Sequence, residues 1–161
     1  MNTPIIRTIE RTDNVAIADV IRLVLVELGA PKVGTAYEDK ALDAMFENYE
    51  KDKATYFVVE EAGVIIGGAG ISQLDHYDGA VCELQKMYFL PPARGLGIGS
   101  KMIDLCLNKA REFGYEQCYI ETMSYMEAAQ KLYKRYGFEY LEGPIGDTGH
   151  YSCGVHMLLD L

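Results

Sequence analysis

The segment that most constrains this chain is an extended, apolar-rich run that stops at two prolines and passes through alternating glycines straight into a helix. The run from Ala80 to Leu90 follows the turn signal Asp78-Gly79 and ends at Pro91-Pro92, because proline fixes φ and lacks the N–H that a strand ladder needs. Arg94-Gly95-Leu96-Gly97-Ile98-Gly99 then leads into a predicted helix that turns Met102, Leu105, Cys106, Leu107, Ala110 and Phe113 toward the core and ends at Gly114. Such a strand, turn and helix N-terminus favours an anion: unpaired backbone N–H groups and the positive end of the helix dipole converge there, and glycine lets a phosphate approach closely. The same glycines would also serve a tight turn and close packing, so spacing alone leaves both uses open. A dinucleotide fingerprint needs Gly-x-Gly-x-x-Gly after the first strand, whereas this turn comes after several strands and reads Gly95, Gly97, Gly99. A P-loop ends in Gly-Lys-Ser/Thr, and Gly99-Ser100-Lys101 has that order reversed. Neither fold is expected.

The rest of the chain reads as alternating helices and strands. A short strand at Ile5 to Ile9 precedes a helix capped by Asp13, with Ile17, Val20, Ile21, Val24 and Leu28 on one face and Gly29 at its end. After the loop Gly29 to Gly34, a second helix is predicted from Tyr37 to Tyr49, with Ala41, Leu42, Met45, Phe46 and Tyr49 on one side. Thr55 to Val59 and Val64 to Ile71, joined at Ala62-Gly63, form a hairpin. On the run from Ala80, strict alternation would put Glu83, Gln85, Met87 and Phe89 on one face and Cys82, Leu84, Lys86 and Tyr88 on the other. A strand from Gln117 to Thr122 follows, then Ser124-Tyr-Met-Glu127 as a capping box for a helix bearing Ala129, Leu132, Tyr133 and Tyr136, closed by Gly137. Strands at Phe138 to Leu141 and Ser152 to Leu159 flank a glycine-rich loop from Glu142 to Tyr151. The elements add up to an α/β chain of six or seven strands and about four helices.

At 161 residues the chain is sized for one domain, 1–161, and 49% hydrophobic residues supply its core. The longest uncharged run, Ala62 to Leu74, is interrupted by glycines, so no membrane span is expected, and the first twelve residues do not resemble a secretory signal. The expected compartment is the cytoplasm, and a homodimer is compatible with the sequence. With 15 basic against 24 acidic residues, the net charge of −9 repels polyanions and argues against nucleic acid as a partner. Between Arg94 and Arg135, however, seven bases face five acids, a local excess suited to a small anionic ligand. The four cysteines are widely spaced and read as reduced, mostly buried thiols. His150-x-x-Cys153-x-x-His156 has metal-binding residue types, but Gly149 and Gly154 oppose a helix, so no metal is expected.

Phe89-Leu-Pro91-Pro-Ala-Arg94-Gly95-Leu-Gly97-Ile-Gly99 resembles the acetyl-CoA motif of the GNAT superfamily of N-acetyltransferases, Arg/Gln-x-x-Gly-x-Gly/Ala after Val-x-Pro. Ala129-Gln-Lys-Leu132-Tyr133-Lys-Arg-Tyr136-Gly137-Phe138 is similar to that family's Ala-x-x-x-Tyr-x-x-x-Gly-Phe element. The resemblance spans the chain for fold, implying an α/β fold with a mixed, mostly antiparallel twisted sheet of six or seven strands flanked by about four helices, and is sharpest from Glu83 to Phe138. It implies direct transfer of an acetyl group from the co-substrate acetyl-CoA to a primary amine on a small molecule or peptide. It also implies that backbone N–H groups from Arg94 through Gly95, Leu96, Gly97 and Gly99 to Ser100 hold the pyrophosphate. Met87 and Phe89 would pair with the pantetheine arm, with Met126 and Ala129 at the cofactor's side. Met126 stands where the family often has asparagine, which removes one side-chain hydrogen bond to the cofactor. An acyl-CoA sensor without turnover, transfer of a longer acyl group, or a structural protein on the same fold are the alternatives.

Attack of an amine on a thioester needs a base for the ammonium, a donor for the oxyanion and an acid for the leaving thiolate. Glu83 matches the position of a glutamate base in some family members, and burial among apolar neighbours would raise its pKa toward neutrality. It also reads as a strand-end carboxylate paired with Lys86. Tyr133 aligns with the family's proposed thiolate acid and reads equally as an aromatic core residue. The oxyanion donor implied is the Phe89 N–H. Thr148 to Tyr151 reads as a loop near the acceptor or as plain surface. The stretch from Glu38 to Glu61 holds eight acids and three bases, an acidic wall that would suit a cationic amine.

Overall fold

The computed structural model describes residues 3–161. Among these, strands β1 (Ile5–Thr8), β2 (Thr55–Glu61), β3 (Val64–Gln73), β4 (Val81–Phe89), β5 (Gln117–Thr122), β6 (Glu139–Tyr140) and β7 (Val155–Asp160) form one seven-stranded sheet. Its order is β1-β2-β3-β4-β5-β7-β6, antiparallel throughout except between β4 and β5. Helices α1 (Asn14–Glu27), α2 (Met45–Asn48), α3 (Ile98–Glu112) and α4 (Glu127–Arg135) flank the sheet, giving the mixed α/β architecture that the sequence predicts. No helix among the described residues is long and apolar enough to cross a membrane.

Period-two alternation divides the core into two layers. Phe57 and Val59 of β2 face the α3 side, where Ile71, Cys82, Met102, Cys106 and Phe138 pack together. Tyr56 and Val58 face the α1 side and meet Ile17, Ile21, Leu25, Leu42 and Met45. Each such burial is worth about 1.5–3 kcal/mol, far more than local helix propensity, so packing holds the helices in place. Cys82, Cys106 and Cys118 are buried in this core, and Cys153 is half-buried. The end of α1 follows the predicted stop signal: Gly29 takes φ +74 and donates to the Val26 carbonyl at 3.0 Å.

Four local expectations are corrected. The helix predicted from Tyr37 to Tyr49 is instead two 3-10 turns, Ala36–Glu38 and Lys40–Ala44, followed by the short α2. Asp39 is extended at φ −62 and ψ 122, and Asp43 is drawn to Arg22 and Glu47 to Asn14, so contacts with α1 override the local pattern. The Ser124 capping box does not form: Met126 occupies the N-cap with no side-chain hydrogen bond. Leu105 is 38% exposed, because at 100° per residue it sits about 120° from the centre of the buried arc of α3.

The fourth correction matters most. Gly68 pairs with Tyr88 but Gly70 with Gln85, so two steps along β3 oppose three along β4, and Lys86 in that interval takes φ +52. This bulge reverses the alternation. Cys82, Leu84, Met87 and Phe89 therefore pack on the α3 side, whereas Gln85 reaches Tyr49 and Tyr88 packs on the α1 side. Glu83 and Phe89 do not share a face as strict alternation requires.

Candidate active site

β4 and β5 pair only from Val81 and Gln117 to Glu83 and Tyr119, although both strands continue, to Phe89 and Thr122. The gap opens a groove of about 470 Å³. Its walls are Met87 to Phe89 of β4, the glycine turn, and Met126, Ala129, Leu132 and Tyr133 at α4, with Val24 and Leu28 from the α1 side.

At one end of the groove Gly97, at φ +75, is the N-cap of α3 and offers no capping side chain. The first helix-closing bond runs from Lys101 N to the Gly97 carbonyl at 3.2 Å. The N–H groups of Ile98, Gly99 and Ser100 thus precede any intrahelical partner, and they sit at the positive end of the helix dipole. A Cβ added at Gly95 or Gly97 would meet nothing within 4 Å, so the surface above the turn is open to a phosphate. Arg94 is occupied differently. Its own N–H donates to the Pro91 carbonyl at 3.1 Å, its guanidinium forks onto Glu27 at 2.8 Å for both bonds, and its Nε donates to the Phe89 carbonyl at 3.0 Å. The unclaimed donors therefore begin at Gly95. Leu96 is exposed and does not line the groove. Met126 is buried and accepts from Thr122 Oγ1 through its sulfur at 3.2 Å.

Tyr133 is 6% exposed, lines the groove and packs its ring 5.9 Å from that of Phe138. Among the described residues, no protein group hydrogen-bonds its hydroxyl. Burial pushes its pKa up, so the phenol keeps its proton and stands as a donor.

A second cavity, of about 30 Å³, shares Leu84, Lys86, Tyr88 and Glu121 with the groove. That is roughly the space of one water molecule. Glu83 lines it and is 5% exposed, with Gln85 donating to Oε1 at 2.7 Å. Burial pushes the Glu83 carboxyl up to about 7; the Gln85 hydrogen bond opposes this, the Glu121 charge adds to it, and Lys86 and His150 oppose it. Glu121 accepts from Tyr119 at 2.9 Å and from Thr148 at 2.7 Å. His150 Nε2 lies 2.7 Å from Asp39 Oδ2, and Lys86 Nζ lies 3.7 Å from the same oxygen. Burial disfavours the charged imidazole, but the Asp39 hydrogen bond and charge outweigh it and raise the His150 pKa. Glu83, Glu121 and His150 each bring one ligand-type atom within 4.8 Å of the others. Both Glu121 oxygens and His150 Nε2 have protein partners.

The structure thus separates Glu83 from Tyr133 into adjoining cavities, places His150, from the loop expected near the acceptor, at the small one, pairs Lys86 with Asp39 rather than with Glu83, and adds Tyr88 and Asp39, which no local motif marks. The predicted acidic wall is largely spent on other tasks: Glu38 accepts from Gly34, Asp43 pairs with Arg22, Glu47 with Arg11 and Glu60 with Arg7. Asp39 alone among these acids reaches the small cavity's edge, through Lys86 and His150.

The family model described as Acetyltransferase (GNAT) family matches residues 23–138. The chain is 41% identical over 160 residues to the uncharacterized N-acetyltransferase YjgM of Escherichia coli (strain K12), covering 99% of this chain and 96% of that protein. Among solved structures, a GNAT-family acetyltransferase from Staphylococcus aureus Mu50 superposes with a TM-score of 0.81 at 19% identity, covering 98% of this chain and 99% of the other. The acetyltransferase yncA from Salmonella typhimurium, solved with its cofactor acetyl-CoA, superposes with a TM-score of 0.78 at 22% identity, covering 99% and 94%.

Proposed function

Since the chain belongs to the GNAT family of acetyltransferases and is an acyl-CoA-dependent N-acetyltransferase, we propose that it moves the acetyl group of acetyl-CoA directly onto a primary amine of a small molecule or peptide. Acetyl-CoA supplies the thioester carbonyl that the amine attacks. The N–H groups from Gly95 to Ser100 hold the pyrophosphate, and the backbones of Met87 and Phe89 run beside the pantetheine arm as an added strand. Glu83 takes the proton of the incoming ammonium, the Phe89 N–H donates to the oxygen that gains charge, and Tyr133 donates to the sulfur. The new C–N bond forms at the carbonyl carbon, the C–S bond then breaks, and coenzyme A leaves as the thiol with the Tyr133 proton, which the second proton lost from the nitrogen restores.

The observation that supports this reading is the junction of the two cavities. A carboxyl raised to about 7 faces the small cavity, and a phenol with no hydrogen-bond partner among the described residues faces the groove that the small cavity joins. A base with a pKa near the working pH combines the right protonation state with the driving force to take a proton.

Gly97→Asp tests the cofactor end. The new carboxylate would sit at the N-terminus of α3 and take the N–H groups that the phosphate needs, while repelling it. Acetyl-CoA affinity measured by titration calorimetry is expected to fall at least tenfold, about 1.4 kcal/mol. Gly97→Ala carries the strain of a Cβ at positive φ without the charge, and should lose less. An unchanged Kd in folded Gly97→Asp would remove the turn from the cofactor site.

A further inference from the structure

We propose that Tyr56, which lines neither cavity, is a positioning residue for the acetyl-CoA groove: its hydroxyl pins the β4 bulge that turns Met87 and Phe89 to the cofactor side. The inference rests on the reading of the groove as the acetyl-CoA site.

Lys86 is the point of strain. At φ +52 a residue with a Cβ is in the left-handed region, which it occupies only when its surroundings hold it there. The holding contact comes from two strands away. Tyr56, on β2 and 0% exposed, reaches across β3 and donates its hydroxyl to the Lys86 carbonyl at 2.8 Å. It can do so because β3 carries glycine where the ring passes. A Cβ at Gly68 would lie 2.6 Å from the Tyr56 ring and 2.7 Å from its hydroxyl, and one at Gly70 would lie 2.5 Å from the ring. Two glycines that weaken β3 as a strand are thus the slot through which the tyrosine grips its neighbour.

The two halves of β4 depend on this contact unequally. Before the bulge, Glu83 is paired on both sides, with Ser72 of β3 and Tyr119 of β5. After it, Met87 to Phe89 have left β5, and Tyr88 and Phe89 are paired with Gly68 and Gly67 of β3 alone. Without the pin, the unbulged register competes, and a one-residue slip would turn Met87 and Phe89 to the opposite face while leaving Glu83 in place.

Tyr56→Phe keeps the ring in the glycine slot and deletes only the donor. Calorimetric titration with acetyl-CoA should show a Kd at least tenfold weaker than wild type, with an unchanged far-ultraviolet circular dichroism spectrum. The acidic limb of kcat/KM against pH, assigned to Glu83, should keep its midpoint. Adding Lys86→Gly to Tyr56→Phe should recover most of the lost affinity, because glycine takes positive φ without steric cost. A merely structural Tyr56 would lower the melting temperature, leave Kd within twofold of wild type and show no rescue, and that result would overturn the inference. Tight binding by wild type and Tyr56→Phe alike refutes this inference alone. No acetyl-CoA binding by the wild-type chain refutes the groove reading and this inference with it.

Discussion

Glu83→Gln is expected to lower kcat roughly 10²-fold near pH 7 and to abolish the acidic limb of kcat/KM, leaving acetyl-CoA affinity close to wild type. Glutamine is nearly isosteric, and can still meet Gln85, but it cannot take a proton. In the wild type the limb should rise through about pH 7, where burial has placed the Glu83 carboxyl. The same displacement gives a stability signature that does not require turnover. Between the ordinary value of 4.5 and about 7, the folded protein holds a proton on Glu83 that the unfolded chain has released. The corresponding stability is complete below about pH 4.5 and is lost as pH rises through 7, amounting to about 3 kcal/mol. Glutamine has no such slope. Thermal melts of wild type and Glu83→Gln at pH 5 and pH 8 should therefore diverge, the variant gaining on the wild type at the higher pH. An unaltered limb with an unaltered rate, for a defined amine acceptor, would move the proton transfer to another carboxylate such as Glu121.

Tyr133→Phe should cost a similar factor in kcat, roughly 10²-fold, with stability and acetyl-CoA binding nearly unchanged. The reason lies in the local geometry. The ring is held by Phe138 and its buried neighbours, while no protein group among the described residues partners the hydroxyl. Deleting that hydroxyl orphans no buried group and opens no cavity, so stability has little reason to move. What is lost is a donor facing the groove whose proton burial secures. The rate should be measured by single turnover, so that product release does not mask the chemical step. Full kcat under those conditions would leave Tyr133 as a packing residue only.

These four variants separate two functions of the site. Gly97→Asp and Tyr56→Phe act on cofactor affinity, whereas Glu83→Gln and Tyr133→Phe act on the chemical step. The expected pattern is an affinity loss in the first pair and a kcat loss in the second. If a variant of one pair behaves like the other, the assignment of that residue is wrong even though the family is not in question.

What was legible in the sequence was what neighbouring residues decide among themselves. Apolar spacing and Gly29 delimit α1, the proline pair and alternating glycines mark the turn before α3, and Gly114 and Gly137 follow the helices they stop. These signals act through steric limits on φ and through periodicity, both carried by the residues concerned. Three features required the assembled chain. The helix expected from Tyr37 was broken because Asp39 meets His150 across 111 positions and Asp43 meets Arg22. The small cavity exists only because the loop bearing His150 folds against the segment from Val33 to Asp39, with Ser152 donating to the carbonyls of Gly34 and Val33 at 2.8 Å each. The β4 bulge carries no local mark, since Lys86 is an ordinary strand residue and the hydroxyl that holds it belongs to Tyr56, 30 positions away. Backbone conformation is therefore readable wherever a residue's own sterics choose it. Where Glu83 stands relative to Met87 and Phe89 was decided only when a distant side chain, Tyr56, brought close by core packing, supplied the hydrogen bond that holds the bulge.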